Sequence, residues 1–277
     1  MLHLREVERI VQAALAEDIG HGDITSDLLI PESKAAKLAF TAREALVVAG
    51  VGLIASVYAK LHPNIKIELA LRDGVEAKPG DVLARVEGPA RACLLGERVA
   101  LNLLQRVCGV ATMTRAYVKA VEGTGTVILD TRKTMPGLRE LDKYAVLIGG
   151  GRNHRMRLDD GVLIKDNHIA LAGGIAQAVA RARAGTPVLT RIEVECDTLD
   201  QVKEALQAGA DMLLLDNMDT KTLREAVKLA KGKALIEASG NMALERVREV
   251  AETGVEFISV GRLTHSCRAV DIGLDIE

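Results

Sequence analysis

The chain has 277 residues, 48% of them apolar, and is nearly neutral, with 36 Lys/Arg against 38 Asp/Glu. That length gives one or two domains with room for a large core, and the charge balance excludes the broad basic face of a nucleic-acid binder. Aromatic residues make up 2% and Trp is absent, so the core must be aliphatic and there is no platform for stacking single-stranded bases.

At the N-terminus Leu4, Val7, Val11 and Ala14 recur at helical spacing among Arg5, Glu6, Glu8 and Arg9, which predicts an amphipathic helix ending near Asp18 rather than a signal peptide. Short strand-like runs follow at Leu38 to Arg43, Ile65 to Leu71 and Val82 to Glu87, the last set up by the turn Lys78-Pro79-Gly80-Asp81. The longest uncharged run, Ala45 to Ala59, has 15 residues and two glycines. A membrane span needs about 20 apolar residues, so this run reads as a buried strand and the start of a helix. A long helix is expected from about Leu94 toward Val121, with Val99, Leu103, Val107 and Val110 on one stripe. Residues 1–110 thus read as an N-terminal α+β domain. Cys93, Cys108, Cys196 and Cys267 form no CxxC pair, which fits reduced thiols in a cytoplasmic protein with no membrane partner.

From Thr126 the pattern alternates. Apolar strands are expected at 127–129, 162–164, 192–196, 212–215, 234–236 and 257–260, with helices over 175–184, 199–208, 222–230 and 244–252. Such alternation with short loops means parallel strands and crossover helices. Arg191, Glu193 and Glu195 alternate with Ile192 and Val194. Strands buried on both faces of an open doubly wound sheet are apolar throughout, so this charged face indicates a lumen and favours a (β/α) barrel over residues 111–267, with a tail at 268–277 that can return to the first domain.

Between Arg132 and Arg157 there are seven Lys/Arg and only Glu140 and Asp142 to offset them. A local excess in a neutral chain suggests a pocket for a small polyanion, and forked Arg and point-charge Lys suit carboxylates and phosphates. The polar residues ending the strands converge on the C-terminal rim of a barrel: Asp130 with Thr131-Arg132-Lys133, Lys165 with Asp166-Asn167-His168, Glu195, Asp216 with Asn217, Glu237-Ala238-Ser239-Gly240, and Gly261-Arg262. Each alone is also read as a helix cap or a solvated charge. Ser239-Gly240-Asn241 ahead of a helix, with Gly261 after the next strand, offers backbone N–H groups to a phosphate. Glu195 and Asp216 are too few to cage a cation, but two carboxylates plus substrate oxygens suit Mg²⁺. His154 and His168 lack the helical spacing of zinc ligands.

The motifs Glu17-Asp18-Ile19-Gly20-His21-Gly22-Asp23, Glu97-Arg98-Val99-Ala100-Leu101-Asn102, Asp130-Thr131-Arg132-Lys133-Thr134, Asn153-His154-Arg155, Leu163-Ile164-Lys165-Asp166-Asn167-His168, Leu215-Asp216-Asn217, Glu237-Ala238-Ser239-Gly240 and Ser259-Val260-Gly261 run in order along the chain. In these it resembles the quinolinate phosphoribosyltransferases. The resemblance implies an N-terminal open-faced sandwich on an incomplete barrel of about seven strands, in homodimers or higher oligomers with shared active sites. It implies Mg²⁺-dependent transfer of phosphoribose from phosphoribosyl pyrophosphate to quinolinate with loss of CO₂, giving nicotinate mononucleotide and pyrophosphate in NAD biosynthesis. By the same resemblance Arg132, His154, Arg155 and Lys165 bind the dicarboxylate, Thr131 and Lys133 lie at the same site, and Arg98 is lent by a neighbouring subunit. Glu195 and Asp216 serve the ribose and its metal, with Lys133 the third expected catalytic residue, and Ser239, Gly240, Asn241 and Gly261 form the phosphate loops. Asn241 stands where family members commonly have Gly; Asn tolerates a left-handed backbone. Arg152 and Arg157 add charge without an assigned role. Two rivals are a Schiff-base lyase using Lys133 or Lys165 and a non-catalytic anion-binding paralogue associated with molybdenum transport.

Overall fold

The computed structural model describes residues 2–277. The chain divides into two compact units, the first holding residues up to Arg115 together with 134–150 and 263–277, the second holding 116–133 and 151–262.

In the first unit the strands are β1 (Ala35–Ala42), β2 (Leu46–Val47), β3 (Lys66–Leu69), β4 (Glu76–Ala77) and β5 (Val82–Pro89). A four-stranded antiparallel sheet runs in the order Ile272–Ile276, β1, β5, β3, so the C-terminal tail returns to pair with β1. The helix Leu4–Ile19 turns Val7, Ile10, Val11 and Leu15 inward, and packs against the helix Gly52–Tyr58; of the predicted stripe Val7 and Val11 are buried, while Leu4 is exposed. The uncharged run 45–59 becomes β2 and that helix.

The division differs from the sequence-based expectation at its ends, where residues 111–115 and 263–267 fall in the first unit and not in the barrel, and in one internal segment. Residues 134–150, expected in the barrel, belong to the first unit. The reason is the helix Arg139–Gly149. Its Asp142, fully buried, takes both forks of Arg106 at 3.1 and 3.0 Å and the backbone N–H of Met135 at 3.0 Å. Tyr144 donates to Asp73 at 2.5 Å. At Gly149 a Cβ would lie 2.5 Å from Cβ of Thr114, so only glycine lets this helix approach so closely.

The second unit is the expected incomplete barrel. Six parallel strands, β6 (Val127–Leu129), β7 (Val162–Ile164), β8 (Ile192–Cys196), β9 (Met212–Asp216), β10 (Leu235–Ser239) and β11 (Phe257–Ser259), pair in the order β6-β11-β10-β9-β8-β7. The first strand of this sheet in chain order thus pairs with its last, the mark of a sheet rolled onto itself. The seventh position is a single bridge, Leu129 with Arg152. Among the described residues no ladder joins that bridge to β7, which leaves the barrel open there. Crossover helices Ile175–Gly185, Leu199–Gln207, Thr220–Ala230 and Leu244–Ala251 match the predicted ones within two residues at each end. A further helix, Asp166–Ala172, follows β7, where no helix was expected.

Candidate active site

Alternate residues of each barrel strand face the lumen, and the polar ones gather toward the carboxyl ends. Leu163 of β7, Glu195 of β8, Leu214 and Asp216 of β9, Glu237 and Ser239 of β10 and Ser259 of β11 line one cavity of about 350 Å³. Thr131, Arg132 and Lys133, following β6, with His154, Arg155 and Lys165, complete its wall. That volume suits a small ligand.

Asp130 organises the cationic side from below. Fully buried at the end of β6, it accepts from Asn153 Nδ2 at 2.5 Å and from the backbone N–H of His154 at 2.9 Å. These bonds tie the loop after β6 to the loop carrying Arg155. Arg155 donates through Nη1 to the Gly161 carbonyl at 2.9 Å. Burial, and then the neighbouring charge of Arg132, lower its pKa from the ordinary guanidinium value; Arg nevertheless stays charged. Two half-buried guanidiniums therefore face one cavity with a mutual repulsion that a bound anion relieves.

The acidic side is built from adjacent strands. Glu195 of β8 accepts from Lys165 Nζ at 2.7 Å. Asp216, ending β9, accepts from Asn217 Nδ2 at 2.6 Å. Both are hard oxygen donors directed into the same cavity, a donor set compatible with Mg²⁺, which takes one or two carboxylates and keeps its other positions for water and substrate.

Other candidates lie elsewhere. Gly240, Asn241 and Gly261 do not line the cavity, although Ser239 does. Gly240 has φ +88°, and a Cβ there would lie 2.2 Å from Asn217 Oδ1, so the β10 loop demands glycine at this point. Asn241 adopts the left-handed backbone at φ 49° and donates to Asn217 Oδ1 at 3.1 Å. Arg98 is exposed on the helix Glu97–Ala120, in the first unit. His168 accepts at Nδ1 from the Lys165 N–H at 2.9 Å and so caps its own helix. Arg152 and Arg157 are exposed.

The sequence reading did not join two of the cavity residues, His154 and Glu237, to the buried Glu193. His154 Nε2 lies 2.9 Å from Glu193 and 3.5 Å from Glu237. Glu193 is 5% exposed and Glu237 not at all. One oxygen of Glu193 and both of Glu237 complete no hydrogen bond. Burial first, and then the Glu193 charge, raise the Glu237 pKa to about 8. The three side chains offer one ligand atom each within 4.8 Å of one another, a spacing a metal could bridge. Their protons argue otherwise. His154 Nδ1 accepts the Arg155 N–H at 2.8 Å, so Nε2 carries the ring proton and donates to Glu193 instead of offering a lone pair to a metal. The alternation of Glu193 and Glu195 had exposed one member of this group in sequence. Its union with His154 and Glu237 leaves no local signal.

Comparison with known proteins bears on this geometry. The family model described as quinolinate phosphoribosyl transferase, N-terminal domain, matches residues 23–108, and that described as the C-terminal domain matches residues 110–275. A probable carboxylating nicotinate-nucleotide pyrophosphorylase of Bacillus subtilis is 43% identical over 100% of this chain and 95% of its own length. The chloroplastic carboxylating enzyme of Oryza sativa is 42% identical over 98% of this chain and 78% of its own length. Among solved structures, the nicotinate-nucleotide pyrophosphorylase of Francisella tularensis superposes with a TM-score of 0.94 at 38% identity, covering 100% of this chain and 98% of that one. The same enzyme of Ehrlichia chaffeensis gives 0.93 at 43% identity, covering 97% and 98%.

Proposed function

The chain belongs to the quinolinate phosphoribosyltransferase family, and from that premise we propose that it transfers phosphoribose from phosphoribosyl pyrophosphate to quinolinate, with decarboxylation, in NAD biosynthesis. The observation that carries this reading is one cavity lined by Arg132, Arg155 and Lys165 together with Glu195 and Asp216, with Lys165 and Glu195 paired at 2.7 Å.

The cations suit the two carboxylates of a pyridine dicarboxylate and hold its ring for in-line attack. The ring nitrogen displaces pyrophosphate from the anomeric carbon through an oxocarbenium-like transition state, and no enzyme nucleophile is needed. Glu195 and Asp216 stabilise the transient positive ribose. Mg²⁺, when bound, supplies charge neutralisation for pyrophosphate, and Glu195 and Asp216, directly or through water, are the residues that would hold it. Lys133 is exposed at the cavity edge, placed to assist the leaving pyrophosphate. Ser239, with the loops at Gly240, Asn241 and Gly261, receives the 5′-phosphate. Arg98 completes the site of a neighbouring subunit in a homodimer or larger assembly. The enzyme acts in the cytoplasm; no helix among the described residues is long and apolar enough to cross a membrane.

The rival readings gain no support. A Schiff-base lysine needs desolvation or a neighbouring cation to activate it, whereas Lys165 is paired with the Glu195 carboxylate at 2.7 Å and Lys133 is exposed. The relatives named above are enzymes of the carboxylating pyrophosphorylase type, not transport-associated anion binders. Incubation with carboxyl-labelled quinolinate, phosphoribosyl pyrophosphate and Mg²⁺ tests the reading. Labelled CO₂ released in step with pyrophosphate is expected; pyrophosphate or CO₂ without the other contradicts it.

A further inference from the structure

Decarboxylation leaves a demand that the cationic wall cannot meet. When the bond between ring carbon C2 and its carboxylate breaks, the electron pair stays on C2, next to the alkylated and positively charged ring nitrogen, and CO₂ departs. C2 must then receive a proton to become the C–H of the product. Until it does, CO₂ can add back. The cavity needs a proton donor that is neutral before the step and sheltered from solvent.

Lys165 is engaged by Glu195, and the guanidiniums do not give up protons. His154, whose Nδ1 accepts the Arg155 N–H, commits its Nε2 to Glu193 at 2.9 Å. Lys133 is exposed and Asp216 only part-buried, so the one fully buried acid in the wall is on β10, Glu237. We propose that Glu237, in its neutral form, supplies the proton that C2 takes up after CO₂ leaves, with the Ser259 hydroxyl beside it carrying the proton into the cavity. This inference rests on the reading of the site given above and names a further residue in that reaction.

The surroundings of Glu237 fit that duty. It lines the cavity wall, is completely buried, and neither of its oxygens completes a hydrogen bond. A buried carboxylate in that condition is costly, whereas the neutral acid is not. From β8 it faces Glu193, from the loop after the Arg152 bridge His154, from the end of β6 Asp130, and from β11 Ser259; its register partner on β9 is the apolar Leu214. Burial and the carboxylates of Glu193 and Asp130 favour the protonated form of Glu237, and outweigh the opposing effects of His154 and the Ser259 hydroxyl. Ser259, 4% exposed, lines the same cavity. In the step, the Ser259 O–H proton passes to C2 as the Glu237 proton passes to Ser259, so a neutral acid and a carbanion become a carboxylate and a C–H bond. Solvent returns the proton once product leaves.

The experiment compares the full-length wild type with Glu237→Gln and Ser259→Ala. Glu237→Gln keeps the shape and neutrality of the acid but has no acidic proton. Wild type must first turn over quinolinate and phosphoribosyl pyrophosphate; if it does not, the proposed function fails and this inference with it. Given turnover, Glu237→Gln is expected to bind quinolinate with a Kd within about threefold of wild type and to release pyrophosphate in the first turnover. CO₂ release should be slowed by about 100-fold, the usual size of a lost general acid, and labelled CO₂ should exchange back into the bound intermediate. The alkaline fall in kcat near the Glu237 pKa of about 8 should vanish in Glu237→Gln, and Ser259→Ala should slow CO₂ release while keeping that fall. Unchanged CO₂ release in Glu237→Gln, or a loss of quinolinate affinity equal to the loss of rate, overturns the inference. If Glu237→Gln does not fold, ¹³C-carboxyl-labelled wild type decides: a glutamate still protonated at neutral pH is expected, and its absence is the contrary result.

Discussion

Two carboxyl groups in this molecule are equally hidden and differently treated. Asp142, in the first unit, is fully buried and meets both arms of Arg106 and a backbone N–H. Glu237, in the barrel, is fully buried and meets another acid and a histidine whose proton is committed elsewhere. Burial pushes both upward from their ordinary values; Arg106 pulls Asp142 back, while Glu193 pushes Glu237 further. Charge in the first unit is matched where it joins segments of the fold. In the barrel lumen matching is partial: Lys165 pairs with Glu195, while Glu237 has no guanidinium beside it. The charge of Arg132 also lowers the pKa of Arg155, a repulsion that a bound anion would relieve.

Removing a partner from the matched site has the largest expected effect on stability. Arg106→Met leaves Asp142 buried and alone, and should lower unfolding free energy by about 3–5 kcal/mol, read by urea denaturation; a loss below 1 kcal/mol would mean that Asp142 is not held as described. In the barrel lumen the penalty falls on binding instead. Arg155→Ala should weaken quinolinate binding by about 2–5 kcal/mol while phosphoribosyl pyrophosphate binding and melting temperature change little; equal loss for both substrates refutes the assignment of the cationic wall. Gly240→Ala forces a side chain onto Asn217 at a left-handed backbone and should cost about 1–3 kcal/mol, with phosphoribosyl pyrophosphate affinity the substrate property that suffers. Its failure to perturb that affinity would detach the β10 loop from the phosphate.

The smallest effect is a trend with pH. The folded pKa of Glu237, about 8, lies above the unfolded value near 4.5. Between them the folded state holds a proton the unfolded chain has lost, so stability falls as pH rises through that window. The stabilising contribution is whole below about 4.5 and gone above about 8. Wild type should therefore lose stability relative to Glu237→Gln from pH 5 to pH 8, measured as a diverging melting temperature. Parallel curves would show that Glu237 ionises in the folded protein as it does in the unfolded chain.

The barrel was legible because its strands carry two signals at once. Ile192 and Val194 mark β8 as buried, and Glu193 with Glu195 mark which face is the lumen. The rim residues Thr131, Arg132, Lys133, Lys165, Glu195, Asp216 and Ser239 were found by their places at strand ends, and they meet in one cavity. What stayed hidden has no local pattern. The seventh strand position is one backbone bridge at Arg152, too short for any periodicity. The segment 134–150 left the expected domain through a pairing of Asp142 with Arg106, 36 residues away. The helix Asp166–Ala172 buries no residue, so it shows no apolar stripe. The His154–Glu237 approach spans strands far apart in sequence and follows only from closure of the barrel.

The claim on which the rest depends is that the cationic wall grips two carboxylates of one heterocycle. Calorimetric titration of the full-length protein with pyridine-2,3-dicarboxylate and with pyridine-3-carboxylate measures it directly. Loss of one charge-assisted contact of about 1.5–3 kcal/mol predicts a Kd roughly 10- to 100-fold weaker for the monocarboxylate, a gap that closes in Arg155→Ala. Equal affinity for the two ligands in the wild type would contradict it.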